Sequence, residues 1–241
     1  MPLPHLVLVP GLMCDATVWE PQIPLLQDLA TIEIADHGMS DSLGGMAELI
    51  LGRAPKRFTI AGHSMGGRVA LEVIRRASAR VSGVALLDTS YTPFIVGEAG
   101  EREAADRYAL LEIARTQGVR AMAMKWIQQM VHPNRLSNKA LIDQIVDMMA
   151  RKTPGTFAAQ TKALLERPDG TDVLPRIECP ALVLCGREDS WSVLSRHEEM
   201  AALIPKSRLA VIETCGHMST MERPEAVTTA MRDWLTWVTS S

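Results

Sequence analysis

The feature that most constrains this chain is a regular alternation of short apolar runs with helical patterns. Six such runs occur, at residues 6–9, 31–34, 58–61, 84–87, 181–185 and 209–212. Their nearly continuous apolar character is typical of strands that are buried on both faces. Helical patterns separate most of them, with apolar side chains spaced to face a sheet. The alternation predicts an α/β fold, with a mostly parallel sheet of about six strands and helices on both faces.

The middle of the chain interrupts this alternation. Between residues 97 and 169 the strand signal disappears, and the sequence indicates three or four amphipathic helices. The Asp-Gly pair at residues 169–170 then predicts a turn back toward the sheet. We therefore expect one core domain, made of residues 1–96 and 170–241, and a helical insertion of residues 97–169 that serves as a lid.

Composition and charge exclude several classes of protein. The 241 residues, 47% of them hydrophobic, suffice for one sizeable core. The net charge is −3 and no basic run could neutralise a line of phosphates, which argues against a nucleic-acid partner. The first apolar run is too short for a signal peptide or a membrane span, so a cytoplasmic protein without a membrane span is expected. The sequence does not bear on the oligomeric state.

The cysteines do not form a pattern that binds metal. Cys14, Cys179, Cys185 and Cys215 include no Cys-x-x-Cys pair, and we expect four free thiols. No histidines and carboxylates are spaced as a ligand set, so neither a metal nor an organic cofactor is expected. Cys14 and Cys215 lie close in sequence to the candidate site described below, and their roles stay open.

The candidate chemistry begins where the third predicted strand ends. Residues 58–61 run directly into Gly62-His63-Ser64-Met65-Gly66-Gly67, and a helical pattern follows at once. A strand, a sharp turn and a helix are the setting of a nucleophile elbow, in which a serine is held above the sheet edge. Glycines two residues before and after the serine let the strand and the helix approach each other, whereas a helix-capping serine would not need them. Ser64 is therefore predicted to be a nucleophile.

A serine hydroxyl needs a positioned base to react at neutral pH. His217 follows the sixth predicted strand in a short loop, and Asp189 follows the fifth. The order Ser64, Asp189, His217 is the one expected for a catalytic triad on this architecture. Asp88, which ends the fourth strand, stays open as an alternative acid. His63, beside Ser64, is expected to pack or to hydrogen-bond locally.

Several stretches together resemble the α/β-hydrolase superfamily, and the resemblance covers nearly all of the chain. They read LVPGL at 8–12, ADHGMS at 35–40, GHSMGG at 62–67, LPRIECP at 174–180 and GRED at 186–189. Within the superfamily the chain is similar to small bacterial carboxylesterases and lactonases, including the 3-oxoadipate enol-lactonase and pimeloyl methyl ester esterase types. The resemblance implies an α/β-hydrolase fold, with the backbone N–H groups of Leu12 and Met65 as oxyanion donors.

Two departures from the family pattern are visible. Pro10 precedes Gly11 where many relatives have a histidine, but position 12 keeps its N–H group. The first strand corresponds to the third of the usual eight, with too few residues before it for two more. We therefore expect a sheet reduced at that edge to about six strands.

The residues and the resemblance predict a serine hydrolase. It would cleave a carboxylic ester or lactone of a small to medium, largely apolar molecule through an acyl-enzyme. Side chains that could line its pocket are Met13, Met65, Trp126, Met130, Trp191 and Met218. Thioesterases, C–C bond hydrolases and cofactor-free perhydrolases use the same fold and triad. A ligand receptor on a hydrolase scaffold is an alternative from another class.

Overall fold

A computed structural model describes residues 3–240, and its six strands form one parallel sheet. The strands are β1 (His5–Val9), β2 (Thr31–Ile34), β3 (Phe58–His63), β4 (Val81–Leu87), β5 (Ala181–Gly186) and β6 (Ser207–Ile212). Their order across the sheet is β2-β1-β3-β4-β5-β6, and every neighbouring pair is parallel. The sequence prediction of a parallel sheet of about six strands is confirmed.

Helices fill the connections between the strands. The α-helices of the described residues are α1 (Ile23–Leu26), α2 (Leu43–Arg53), α3 (Met65–Ala77), α4 (Glu98–Thr116), α5 (Val119–Trp126), α6 (Lys139–Ala150), α7 (Pro154–Leu165), α8 (Leu194–Leu203), α9 (Ser219–Glu222) and α10 (Pro224–Thr239). Short 3₁₀ helices occur at Ala16–Trp19, Ser78–Arg80, Ile127–Gln129, Pro133–Arg135 and Leu174–Arg176. No helix among residues 3–240 is long and apolar enough to cross a membrane.

The strand order determines where a site can form. From β1 the chain moves outward to β2, and it then returns to the other side of β1 with β3. Ligands of open α/β sheets bind at such a reversal, beside the carboxyl ends of the strands. The loop after β1 and the turn after β3 meet at this point, and they carry Leu12 and Ser64.

Helices cover both faces of the sheet. Helix α3 contacts β1, β3 and β4, while α10 contacts β4, β5 and β6. Val227, Met231, Trp234 and Leu235 of α10 are buried, and the indole Nε1 of Trp234 donates to the carbonyl oxygen of Pro180 at 3.1 Å. The strands are almost completely buried in the middle of the sheet, as the continuous apolar runs predicted.

Helices α4 to α7 belong to the helical insertion between β4 and β5. Its two ends lie side by side, because the Gly170 N–H donates to the Tyr91 carbonyl oxygen at 2.8 Å. The buried apolar residues of the helical insertion and those of the sheet form one cluster. The boundaries at residues 97 and 169, and the role of the insertion as a lid, stay predictions.

Candidate active site

Ser64 stands on a strained turn between β3 and α3. Its backbone angles are φ 55° and ψ −119°, which few residues other than glycine adopt. The turn is tight: a Cβ at Gly62 would lie 2.2 Å from the carbonyl oxygen of Gly66, and one at Gly66 would lie 2.1 Å from that of Val9. Both positions therefore require glycine, as the sequence pattern indicated.

The turn aims the Ser64 hydroxyl at His217. The Ser64 Oγ lies 2.8 Å from His217 Nε2, and His217 Nδ1 lies 2.8 Å from Asp189 Oδ2. A carboxylate only accepts hydrogen bonds, so Nδ1 carries the proton of the neutral ring and Nε2 is free to accept from the hydroxyl. The other oxygen of Asp189 accepts from the backbone N–H groups of Trp191 and Ser192, at 2.8 and 2.9 Å. These bonds fix the orientation of the carboxylate.

The histidine and the aspartate shift each other's protonation. Burial alone would lower the pKa of His217, but the charge of Asp189 and its hydrogen bond outweigh burial and raise that pKa above its ordinary value. Burial alone would raise the pKa of Asp189, whereas His217 and the two backbone N–H groups bring it below the ordinary value. The pair therefore favours a protonated His217 beside an ionised Asp189.

Asp88 lies in the same region, but its hydrogen bonds go to Gly186 and Ser219 and not to the His217 ring. Its Oδ1 accepts from the Gly186 N–H at 3.0 Å, and its Oδ2 accepts from the hydroxyl of Ser219. The residue is completely buried, and burial, followed by the charge of Asp189, raises the pKa of Asp88 well above its usual range. Asp88 thus joins the ends of β4 and β5 to the start of α9.

His63 makes a contact that its sequence position does not indicate. Its Nε2 donates to the backbone carbonyl oxygen of His217, a residue distant in sequence, at 2.9 Å, and its ring packs edge-on against Trp19. Burial, followed by the proximity of His217, lowers the pKa of His63 to about 3. A neutral His63 therefore supports the backbone of the loop that carries His217.

The two residues predicted to supply oxyanion donors, Leu12 and Met65, both line the cavity that contains Ser64 and His217. Met65 is the first residue of α3, and an N–H in the first turn of a helix has no intrahelical partner. The loop before Leu12 packs directly on the serine, because a Cβ at Gly11 would lie 3.1 Å from the Cβ of Ser64.

The loop that carries His217 is also held by a glutamate that the sequence analysis missed. Glu222, at the end of α9, accepts from the N–H groups of Gly216, Met218 and His132, at 3.1, 3.2 and 2.8 Å. Burial raises the pKa of Glu222, although these three hydrogen bonds oppose the rise. A glutamate two residues before a helix-starting proline carries no sequence signal of this role.

The helical insertion contacts both loops of the candidate triad. The His217 N–H donates to the Met130 carbonyl oxygen at 2.7 Å, and the indole Nε1 of Trp191 donates to the Gln129 carbonyl oxygen at 3.1 Å. These bonds connect residues 129–130 with the loops after β5 and β6. The position of His217 therefore depends on the insertion as well as on the sheet.

A cavity of about 290 Å³ opens above Ser64 and His217. Four of the side chains predicted to line it do so, namely Met65, Trp126, Met130 and Trp191. Met13 and Met218 are completely buried and do not line the cavity. The lining is also less apolar than the sequence analysis expected, because four arginines and one glutamate contribute to it: Arg68, Arg107, Arg167, Arg196 and Glu103.

The cysteines remain thiols. All four are free, and burial raises the pKa of Cys14, which lines the cavity, to about 12. Burial also raises the pKa of Cys215 far above its ordinary value. Since the thiolate is the reactive form, neither cysteine competes with Ser64 as a nucleophile at neutral pH. Among residues 3–240, no cluster of three or more histidines, cysteines and carboxylates could hold a metal ion.

The sheet order and the strained turn after β3 define an α/β hydrolase, and comparison with known proteins agrees. The sequence model of the alpha/beta hydrolase family matches residues 6–230. The chain belongs to this family and is a hydrolase.

Its relatives include esterases, and an enol-lactonase has the same fold. A thermophilic esterase from Thermogutta terrifontis, whose structure contains malate, is 31% identical and superposes with a TM-score of 0.86 over 99% of this chain and 91% of that one. The pimeloyl-[acyl-carrier protein] methyl ester esterase of Nitrosomonas europaea is 24% identical, with 92% of each chain covered. The enol-lactonase of Burkholderia xenovorans, 24% identical, has the same fold, with a TM-score of 0.84 over 98% of this chain and 92% of that one.

Proposed function

We propose that this protein is a serine hydrolase that cleaves a small carboxylic ester or lactone through an acyl-enzyme. One observation carries the proposal: two hydrogen bonds of 2.8 Å connect the Ser64 hydroxyl, the His217 ring and the Asp189 carboxylate. This arrangement is what a serine needs to react at neutral pH. The esterase and lactonase relatives support the choice of a carboxylic ester or lactone over other bonds.

In the proposed reaction, the Ser64 oxygen forms a bond to the substrate carbonyl carbon while His217 Nε2 takes the hydroxyl proton. Asp189 stabilises the imidazolium that results. The N–H groups of Leu12 and Met65 donate to the oxyanion of the tetrahedral intermediate. This intermediate collapses, and the alcohol leaves with the proton from His217. Water then attacks the acyl group on Ser64 by the same steps and releases the acid.

We also propose that the helical insertion forms the lid of this site. Trp126 and Met130 from the insertion line the cavity opposite Ser64. The cavity volume of about 290 Å³ lies at the lower end of the range for ligand pockets and fits a small substrate. Apolar side chains that exclude water strengthen the electrostatic interactions at the reacting carbonyl.

Replacement of the nucleophile tests the proposal. We expect Ser64→Ala to reduce kcat for p-nitrophenyl acetate on the order of 10⁶-fold, because the acyl-enzyme cannot form. The matched control is Ser82→Ala, since Ser82 donates to the Phe58 carbonyl oxygen away from the site. A fluorophosphonate probe followed by peptide mass spectrometry should label Ser64 in the wild-type protein and in the control.

A panel of substrates separates the proposal from its alternatives. Steady turnover of p-nitrophenyl esters and lactones that requires Ser64 supports it. A strong preference for acyl thioesters would indicate a thioesterase instead of an esterase. A single slow turnover after which the product stays tightly bound would indicate a receptor. If wild type and Ser64→Ala gave equal rates on every substrate, the proposal would be wrong.

A further inference from the structure

The cavity above Ser64 carries a charge opposite to that of the whole chain. The net charge of the protein is −3, yet the cavity lining contains four arginines and a single carboxylate. The arginines come from four separate parts of the fold: Arg68 from α3, Arg107 from α4, Arg167 from the end of the helical insertion and Arg196 from α8. Four separate elements thus direct positive charge into one small cavity.

Carboxylates compensate only part of this charge. Arg196 pairs with Glu199, outside the cavity lining, at 2.8 Å. Glu103 accepts from Arg107 Nη2 at 2.9 Å and from the two terminal nitrogens of Arg167 at 2.8 Å each. Both arginine side chains are largely buried, with 11% and 8% of their surfaces exposed. Two guanidinium groups share one carboxylate, so this cluster keeps an excess positive charge in the cavity wall.

Arg68 is the least compensated of the four arginines. Its Nη1 donates to the Thr92 carbonyl oxygen at 2.8 Å, and it forms no ion pair with a carboxylate among residues 3–240. Burial, followed by repulsion from Arg167, lowers the pKa of Arg68 to about 9, so the group is still charged at neutral pH. A guanidinium group has five N–H donors, and a partly buried one without an anion is costly.

We propose that the substrate carries a carboxylate, a few carbons from the reacting carbonyl, and that Arg68 binds it. This inference rests on the proposed function and specifies its substrate class. Arg68 lies four residues after Ser64, about 6 Å further along the chain direction of α3. A planar guanidinium binds a carboxylate through two parallel hydrogen bonds, and such a bond fixes the orientation as well as the position of a substrate. Arg107 and Arg167 add to the attraction.

Matched esters test the proposal. Monomethyl glutarate and methyl pentanoate differ only by a carboxylate in place of a methyl group on the acyl side, and 4-acetoxybutanoate and butyl acetate differ in the same way on the alcohol side. We expect wild-type kcat/KM to favour the charged ester in at least one pair. Arg68→Met should lower the ratio of charged to neutral kcat/KM about 10²-fold, the usual loss when one partner of a buried charge pair is removed.

Two further variants control for charge and for folding. Arg68→Lys keeps the charge without the paired donors, and it should lower the same ratio only about 10-fold. Arg102→Met removes the same charge from an exposed position on α4, where Arg102 pairs with Glu98, and should leave the ratio unchanged. A loss of the ratio in Arg102→Met equal to that in Arg68→Met would overturn the proposal.

The remaining outcomes separate this proposal from the proposed function. If hydrolysis requires Ser64 but neither pair shows a preference for the charged ester, the carboxylate proposal is wrong and the hydrolase stands. If no ester is hydrolysed, calorimetric titration of Ser64→Ala with glutarate tests whether the cavity binds a carboxylate. Binding weakened about 10²-fold by the added Arg68→Met change supports a carboxylate site, whereas absent or unchanged binding overturns it.

Discussion

Two buried carboxylates, Asp88 and Asp189, follow adjacent strands near His217, and they differ in their hydrogen-bond partners and protonation. Asp189 accepts from the imidazole Nδ1 and from two backbone N–H groups, and its pKa is lowered. Asp88 accepts from Ser219 and Gly186, and burial together with the charge of Asp189 raises its pKa. Two neighbouring carboxyl groups of this kind do not both ionise readily. The ionised one is Asp189, and it is the one that contacts the histidine.

This difference gives a prediction for the two asparagine variants. Asp189→Asn should lower kcat/KM for p-nitrophenyl acetate about 10⁴-fold, because an amide favours the wrong tautomer of His217. Asp88→Asn should lower it less than about 10-fold, because an amide resembles a protonated carboxyl group in shape and can still accept from Gly186. Urea unfolding of each variant controls for stability. A larger loss for Asp88→Asn would make Asp88 the catalytic acid instead.

The shifted pKa of His217 predicts the pH dependence of the reaction. The base must be neutral to accept the Ser64 proton, so kcat/KM should fall as the pH drops through the pKa of His217. Asp189 raises that pKa, and the acid limb should therefore have its midpoint above 6.5, the ordinary value for histidine. His63 stays neutral across this range because its pKa is about 3. A midpoint well below 6.5 would contradict the assignment of the base.

The loop between β6 and α9 is held from three sides. His63 donates to the His217 carbonyl oxygen, the His217 N–H donates to Met130, and Glu222 accepts from three backbone N–H groups. The loop has little space to relax, since a Cβ at Gly216 would lie 2.6 Å from the backbone nitrogen of His132. The geometry of the histidine is therefore a property of several elements together.

Replacement of Glu222 should show that the loop carrying His217 depends on contacts from other elements. In Glu222→Gln one carboxylate oxygen becomes an NH₂ group that faces an N–H donor, so a buried donor loses its acceptor. We expect the free energy of unfolding to fall by about 1–3 kcal/mol and kcat/KM to fall as the loop loosens. The control is Glu213→Gln, because an exposed ion pair such as that of Glu213 with Arg187 contributes little to stability. Equal urea midpoints for the two variants would rule out the role of Glu222.

The elements that the sequence predicted are those set by local pattern. All six strands and the turn at Ser64 were found from apolar runs and from glycine spacing, because burial on both faces and close backbone approach each restrict the residues allowed. The hydrogen bonds that Glu222 and His63 make to the loop carrying His217 were not predicted. They connect residues that are distant in sequence or belong to different elements, and no local pattern indicates them. Met13 and Met218 were assigned to the wrong surroundings because sequence proximity to the site does not fix the direction of a side chain.

The charge of the cavity is a property of the whole molecule. Arg68, Arg107, Arg167 and Arg196 are scattered along the sequence, and all four lie outside the stretches that resemble the family. From the sequence alone, the protein is slightly acidic and its arginines are evenly distributed, so no positively charged site is predicted. The convergence of these arginines requires the helical insertion to be packed on the sheet, so substrate selection and the packing of the insertion depend on each other.

The apolar contacts indicate that this packing is strong. Ile145 and Met148 on α6 are completely buried, and they belong to the same cluster as Leu86 in the middle of the sheet. A segment with its own core could open separately, whereas one that shares a core with the sheet must expose that core when it leaves. We therefore expect the helical insertion and the sheet to unfold together.

Hydrogen exchange in increasing urea tests this expectation. The slowest amides of α6 and those of β4 should open with the same free energy, because both require global unfolding. Ile145→Ala should lower both values equally, by about 2–5 kcal/mol, since it leaves a cavity in the shared core. Met124→Ala, on an exposed position of the same insertion, should change both by less than about 0.5 kcal/mol. If Ile145→Ala destabilised α6 alone, the insertion would be an independent unit, and the arginine cavity would form only while that unit is docked.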